Sequence, residues 1–152
     1  DNVKFFIMGE IYPDNPSSIK LDVLNKWIND DNIIKLEQTN NVEKKIGEFD
    51  CIVMPSYREG MSRVLLEACG TGIPVIGSNV PGCKDIIDHK KNGFICNVKD
   101  SFDLSKQCEE LINLSHDQRI KMGDYGRDVI LKYFDEKIVI NSYLKNINKI
   151  LS

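Results

Sequence analysis

Two carboxylates, Glu59 and Glu67, stand with seven residues between them in the stretch CIVMPSYREGMSRVLLE, residues 51–67. An ionised carboxylate only accepts hydrogen bonds, and it can take two from adjacent hydroxyls, the way a ribose diol is commonly held. If the whole spacing were helical, the two groups would lie about 12 Å apart along the axis. That separation suits two ends of an extended ligand better than two groups acting on one atom. An acid/base dyad needs carboxyls about 5–10 Å apart; a loop-to-helix pair could reach that distance, and nothing in the sequence requires it. The plainer alternative leaves Glu59 in solvent and pairs Glu67 with Arg63 four residues earlier on one helix face. Such a pair contributes only about 0.2–0.5 kcal/mol. Spacing alone does not choose between these arrangements.

The elements around the carboxylates are more telling. Residues 51–54 (CIVM) form a short apolar run suited to a buried strand, Pro55 and Gly60 punctuate a loop, and from about Ser62 the pattern turns helical. Strand, glycine-bearing loop and helix start are the parts of an anion site. The first N–H groups of a helix have no partner inside it and point outward. The amides around Met61, Ser62, Arg63 and Val64 are therefore placed to meet a diphosphate.

The rest of the chain supplies a frame for this stretch. Residues 3–8 (VKFFIM), ended by Gly9, read as a buried strand, and residues 33–36 as a second. Between them Pro16 suits a first helical position with Asn15 as its cap, and Ile19, Val23, Leu24, Trp27 and Ile28 mark one apolar helix face. Residues 42–49 read as a short helix. Gly72 closes the helix of the central stretch, residues 74–77 (PVIG) open a fourth strand, residues 84–88 make one helical turn, and residues 93–96 a fifth strand. Asp100 or Ser101 starts a helix with Leu104, Cys108, Leu111 and Ile112 on one face. Ser115 with Gln118 forms a capping box for the next, and Asp135 starts the last. Apolar strands alternating with amphipathic helices predict an α/β, doubly wound (Rossmann-like) parallel sheet with helices on both faces and a helical C-terminus. In such sheets ligands bind beyond the carboxyl ends of the strands, where chain order puts the loop of residues 55–60.

Composition narrows the function classes. The 152 residues suffice for one domain with a real core and are too few for two ordinary ones. A formal net charge of −3 gives no basic stripe for nucleic acid and no strong attraction to anionic membranes. Lys90 and Lys91 read as a solvated loop, and His89 and His116 as surface residues. Five scattered cysteines without a C-x-x-C pair argue against a disulfide framework or zinc site and fit a reducing cytoplasm. Cys51 and Cys69 fall among apolar residues, as small buried hydrophobes do. No apolar run approaches the roughly 18 residues that span a bilayer.

The run PSYREGMSRVLLEACGTGIPVIGSNVPGCKDII resembles the donor-binding half of retaining glycosyltransferases of the two-domain GT-B type. It most resembles the large bacterial group 1 (family 4) enzymes, whose signature is two glutamates seven residues apart followed by E-A-x-x-x-G-x-P-V-I. Here that signature stands as Glu59, Glu67, Ala68, Gly72, Pro74, Val75 and Ile76. The opening VKFFIMGEIYPDNPSSI is similar to a subgroup concerned with capsule, O-antigen and other surface polysaccharides. The resemblance covers nearly the whole chain.

The resemblance implies a role for each matching position. Glu59 would be the catalytic-site carboxylate holding donor-sugar hydroxyls. The amides of Met61 and Ser62, beside Gly60, would face the sugar, those of Arg63 and Val64 the diphosphate, and Glu67 would bind the ribose diol. The loop after the second strand, around Gln38, Thr39 and Val42, would lie by the base, and the last helix would cross toward another domain. The implied donor is a nucleotide-diphosphate sugar, with UDP first, carrying a hexose or N-acetylhexosamine. The implied acceptor is a saccharide or lipid-linked molecule, with no metal or other cofactor, a cytoplasmic setting and at most peripheral membrane contact. Residues 1–152 would be one nucleotide-sugar-binding domain cut from a longer chain, its acceptor domain and the start of its donor domain absent. By itself it would be inactive.

Three departures stand out. Ser62 occupies a position where many such enzymes carry glycine, and Glu37 another. The arginine and lysine that clamp the diphosphate in the family fall before Asp1. Two rival readings remain. One is a GT-B enzyme of another reaction, a sugar-nucleotide epimerase or a phosphorylase. The other is a doubly wound binding or signalling module, which would need an aspartate just after its phosphorylation strand. The first and third strands end instead in Met8-Gly9 and Met54-Pro55.

Overall fold

All five apolar runs become strands, and every pairing between them is parallel. The computed structural model describes residues 3–12, 14–15 and 18–151. The chain divides into two compact units, one ending at Asn41 and the other beginning at Val42.

In the first unit β1 (Phe5–Met8) pairs with β2 (Ile33–Leu36), Phe5 opposite Ile33 and Met8 opposite Leu36. The crossover is α1 (Leu21–Ile28), which packs on β2. Two expectations change here. The strand read as buried is open: Phe5, Phe6 and Met8 are 47%, 42% and 39% exposed. Two strands and one short helix cover too little of the sheet to bury β1, and among the described residues of this unit only Leu24 is buried. The helix also starts later than the sequence suggested. The Asn15 N–H bonds to the carbonyl of Tyr12, and the Asn15 carbonyl accepts from Ser18, so a turn occupies the expected helix start. Lys20 stands at the N-cap with no side-chain bond. Pro16 lies outside the described residues.

The second unit is built on three strands in the order β3-β4-β5: β3 (Ile52–Met54), β4 (Val75–Ser78) and β5 (Gly93–Cys96). The middle strand is buried along its whole length, as a strand covered on both faces must be. Its successive residues point to opposite faces and found two cores. Val75 joins Ile46, Leu65, Ala68, Cys69 and Ile87 on one side, where α2 (Val42–Ile46), α3 (Arg63–Gly70) and α4 (Pro81–Lys84) lie. Ile76 joins Phe94, Leu111 and Met122 on the other, contributed by α5 (Ser101–Ile112) and α6 (His116–Tyr133). This is the doubly wound arrangement the alternating pattern implied.

Local chemistry sets the boundaries. The Gly72 N–H bonds to the Cys69 carbonyl and the Ile73 N–H to that of Ala68, closing α3 in a Schellman motif with Gly72 at φ +79°. Asp100 caps α5 through the Asp103 N–H, and Ser115 with Gln118 forms both bonds of the capping box on α6. The single turn expected at residues 84–88 sits earlier, at Pro81–Lys84, because Pro81 takes the first helical position and the Val80 carbonyl accepts from Cys83 and Lys84.

Helices α3 and α6 meet along glycines. A Cβ added at Gly123 would collide with the carbonyl of Gly72, and one at Gly126 would lie 3.2 Å from Cβ of Asn92 and 3.5 Å from that of Cys69. Asn92, fully buried, is satisfied: its Oδ1 accepts from the Asp88 N–H at 2.7 Å and its Nδ2 donates to the Ile86 carbonyl at 2.9 Å. The last helix, α7 (Glu136–Leu151), has no buried residue among those described. It leaves Val139, Tyr143, Leu144 and Ile147 open. Among the described residues no helix is long and apolar enough to cross a membrane, and all five cysteines are free.

Candidate functional site

The chain leaves β3 at Met54, runs through the loop of residues 55–61 and enters α3 at Arg63. Leu65, Ala68 and Cys69, fully buried, fix the helix against the core. Ser62 stands at its N-cap with extended backbone (φ −78°, ψ 101°), the position where a serine hydroxyl ordinarily accepts from the second or third helical N–H. Here it does not. Its Oγ is buried and has no hydrogen-bond partner among the described residues, and no side chain caps the helix. The N–H groups of Arg63 and Val64 therefore keep no protein acceptor among the described residues. The first turn carries no acidic side chain that could take an anion's place there.

The loop is held in part from α4. Backbone of Gly82, in α4, presses on the loop so closely that a Cβ there would collide with the Gly60 carbonyl and come within 2.9 Å of that of Glu59. The Gly82 carbonyl also faces the Ser62 N–H at 3.4 Å. Only glycine permits this approach. Sequence analysis gave Gly82 no role, since no local pattern announces a contact with a glycine 22 positions earlier.

Glu59 is half-buried rather than solvated, and its Oε1 accepts from Ser56 Oγ at 2.8 Å. Burial first, and the nearby Glu59 carboxylate second, raise the Cys83 thiol above its ordinary range, which places the carboxylate toward α4. Glu67 lies on α3 with its side chain 27% exposed, and Arg63 Nη2 is 3.5 Å from its Oε1. The i,i+4 pair weighed at the outset therefore exists. Arg63 is 88% exposed, so the pair contributes about 0.3–0.5 kcal/mol. A carboxylate accepting from ligand hydroxyls gains about 1.5–3 kcal/mol per bond.

Glu59, Gly60, Met61, Ser62, Arg63, Val64 and Glu67 thus share one loop and helix start, with Gly60 and Met61 exposed. Gln38 and Thr39 belong to the first unit, where Thr39 Oγ1 accepts from the Asn41 N–H at 3.1 Å. Val42 opens α2 in the second unit and packs on its core. Among the described residues no cluster of three or more His, Cys, Asp or Glu side chains could hold a metal ion.

The family described as glycosyl transferases group 1 matches residues 1–129. The chain belongs to this family. It is 28% identical over 114 residues to the N-acetyl-α-D-glucosaminyl L-malate synthase of Bacillus anthracis, covering 75% of this chain and 30% of that protein. It is 26% identical over 151 residues to an N,N'-diacetylbacillosaminyl-diphospho-undecaprenol α-1,3-N-acetylgalactosaminyltransferase of Campylobacter jejuni, covering 99% of this chain and 38% of that enzyme. HepE of Anabaena, solved in complex with UDP, superposes with a TM-score of 0.86 at 16% identity over 97% of this chain and 41% of that one. At that identity the likeness establishes a shared fold. This group 1 chain spans about a third of the length of the curated relatives it matches.

Proposed function

We propose that this chain is the donor-binding half of a retaining glycosyltransferase. The longer enzyme moves a hexose or N-acetylhexosamine from a nucleotide-diphosphate sugar, UDP first among candidates, to a polysaccharide or lipid-linked acceptor. The observation that carries the proposal is the start of α3. An N-cap serine turns its hydroxyl away from the helix it could cap and leaves the following amides open to an anion. Solved structures of HepE with UDP and with UDP-glucose support a nucleotide sugar as that anion.

The roles are those that the likeness to group 1 glycosyltransferases implies, and the chemistry of that start suits them. The amides of Arg63 and Val64 meet the diphosphate and, with the positive end of the helix dipole, stabilise its charge as it leaves. That of Met61 faces the sugar, whose hydroxyls donate to Glu59; the Ser62 amide, expected there too, is taken by the Gly82 carbonyl. Ser56 holds that carboxylate in place by its 2.8 Å bond. Glu67 exchanges Arg63 for the ribose diol. Gln38, Thr39 and Val42 serve the base side. Catalysis in this reading is positioning and charge stabilisation, with no metal invoked. The unburied α7 is where the acceptor-binding half docks, and the chain alone does not turn over. Titration of the full-length enzyme with UDP, GDP and dTDP sugars tests the reading. Glu67→Ala should weaken the preferred donor by about 1–3 kcal/mol while its melting temperature stays put. Unchanged affinity removes Glu67 from the ribose.

A further inference from the structure

The loop that carries Glu59 is short of internal support. Among the described residues no backbone hydrogen bond ties residues 56–61 to one another or to a neighbouring strand. Its shape rests on the Ser56–Glu59 bond, the close approach of Gly82 to Gly60, and one contact from a different loop. That contact is the ammonium of Lys99, 5.3 Å from the centre of the Tyr57 ring. Lys99 lies between β5 and α5, at the same carboxyl end of the sheet as the Glu59 loop.

Lys99 holds left-handed backbone at φ 61°, one of two non-glycine residues among those described with positive φ. A long side chain is strained there, and glycine would not be. The flanks enforce the conformation. Asp103 Oδ2 accepts from the Asn97 N–H at 2.7 Å, and Asp100 Oδ1 accepts from the Asp103 N–H at 2.9 Å, fixing the turn from both sides. Strain kept at a position where glycine would be cheaper points to a use for the side chain. Among the described residues the only ring contact of Lys99 is with the aromatic residue two places before Glu59.

We propose that Lys99 is a positioning residue: its ammonium, seated on the Tyr57 ring, latches the Glu59 loop to the loop after β5 and pre-orders it for the donor. The role rests on the donor-site reading above. A cation–π contact at an exposed site corresponds to about a two- to five-fold change in an equilibrium. In the full-length enzyme, Lys99→Met, Lys99→Gly and Tyr57→Leu should therefore speed tryptic cleavage after Arg58 in the loop, without donor, by that factor. They should raise KM for the donor similarly and leave kcat nearly unchanged. Tyr57→Phe keeps the ring and should behave as wild type. Lys99→Gly should also raise the melting temperature while weakening the donor, opposite movements that a merely structural lysine would not produce. Wild-type cleavage at Arg58 in Lys99→Met overturns the latch. Faster cleavage with unchanged donor KM, while Glu67→Ala still weakens the donor, overturns the positioning role and leaves the donor site standing. A Glu67→Ala enzyme that binds donor as wild type does overturns the site and, with it, the role given to Lys99.

Discussion

Two regions of the second unit are made from glycines and polar side chains and come out opposite in character. Along the seam of α3 and α6, Gly72, Gly123 and Gly126 bring backbones together, and Asn92 has its amide partners in place. At the start of α3, Gly60 has no atom within 4 Å of where a Cβ would sit, Ser62 Oγ has no partner among the described residues, and the loop lacks backbone bonds. The seam is over-determined, and the site is left open. The difference shows where a fold can leave polar groups unmet. Buried donors and acceptors are normally satisfied, and the orphan hydroxyl of Ser62 stands out beside the satisfied amide of Asn92.

The largest expected effect breaks the seam. In an open helix Gly→Ala stabilises by about 0.8–1 kcal/mol. Gly123→Ala should instead destabilise by about 3 kcal/mol, since a Cβ there meets the backbone of Gly72 rather than a movable side chain. In a chain of this size that lowers Tm by about 10 °C. Gly60→Ala, in open space, should stay within about 0.5 kcal/mol of wild type. Calorimetry on both decides, and a Gly123→Ala protein that melts higher would mean the two helices are not in backbone contact.

A smaller effect sharpens the same contrast from its polar side. Asn92→Ala strips the Asp88 N–H and the Ile86 carbonyl of their partner inside the core. The loss should be about 2 kcal/mol, read as a lower urea midpoint with unchanged slope. Beside it, Cys69 is pushed up to about 12 by burial, against the bond from Asn92. The native thiol therefore stays protonated and inert to alkylation at pH 8, and only unfolding exposes it.

What the chain disclosed of itself divides along similar lines. Strands β2 and β5, the Asp100 cap and the Ser115–Gln118 box were legible because their signals are local: a short, mostly apolar run between turns, or a hydroxyl three places before a glutamine. The exposure of β1 was not, because VKFFIM has the pattern of a buried strand and only the amount of structure laid over it settles the matter. The start of α1 was misplaced because Asn15 spends its backbone on a turn before any helix begins. At the site, the helix start and its two carboxylates were visible in the spacing. Their division of labour came only from likeness to a family. The pressure of Gly82 on Gly60 and the seat of Lys99 on Tyr57 join residues far apart in sequence, and no periodicity encodes them.

The smallest effect belongs to the outer face of the turn that Asn92 holds from within. Asp88 accepts from Lys91 Nζ at 2.9 Å and from Tyr125 Oη at 2.8 Å, both on Oδ2. The Lys91 bond first, and the Tyr125 bond second, hold its carboxyl below the usual carboxylate range. A depressed carboxylate stabilises the fold fully above its unfolded pKa, about 3.9, and the contribution is lost as pH falls through the folded value. Because Asp88 is largely open to solvent, the contribution is screened, and Tyr125→Phe should cost under about 1 kcal/mol at pH 7. That cost should shrink toward zero in acid, once Asp88 is protonated in both states. Urea midpoints for the two proteins across pH 7 to 2 measure it. A gap of constant size would mean that the Tyr125 hydroxyl stabilises without the charge on Asp88, and that the seam needs no help from its surface.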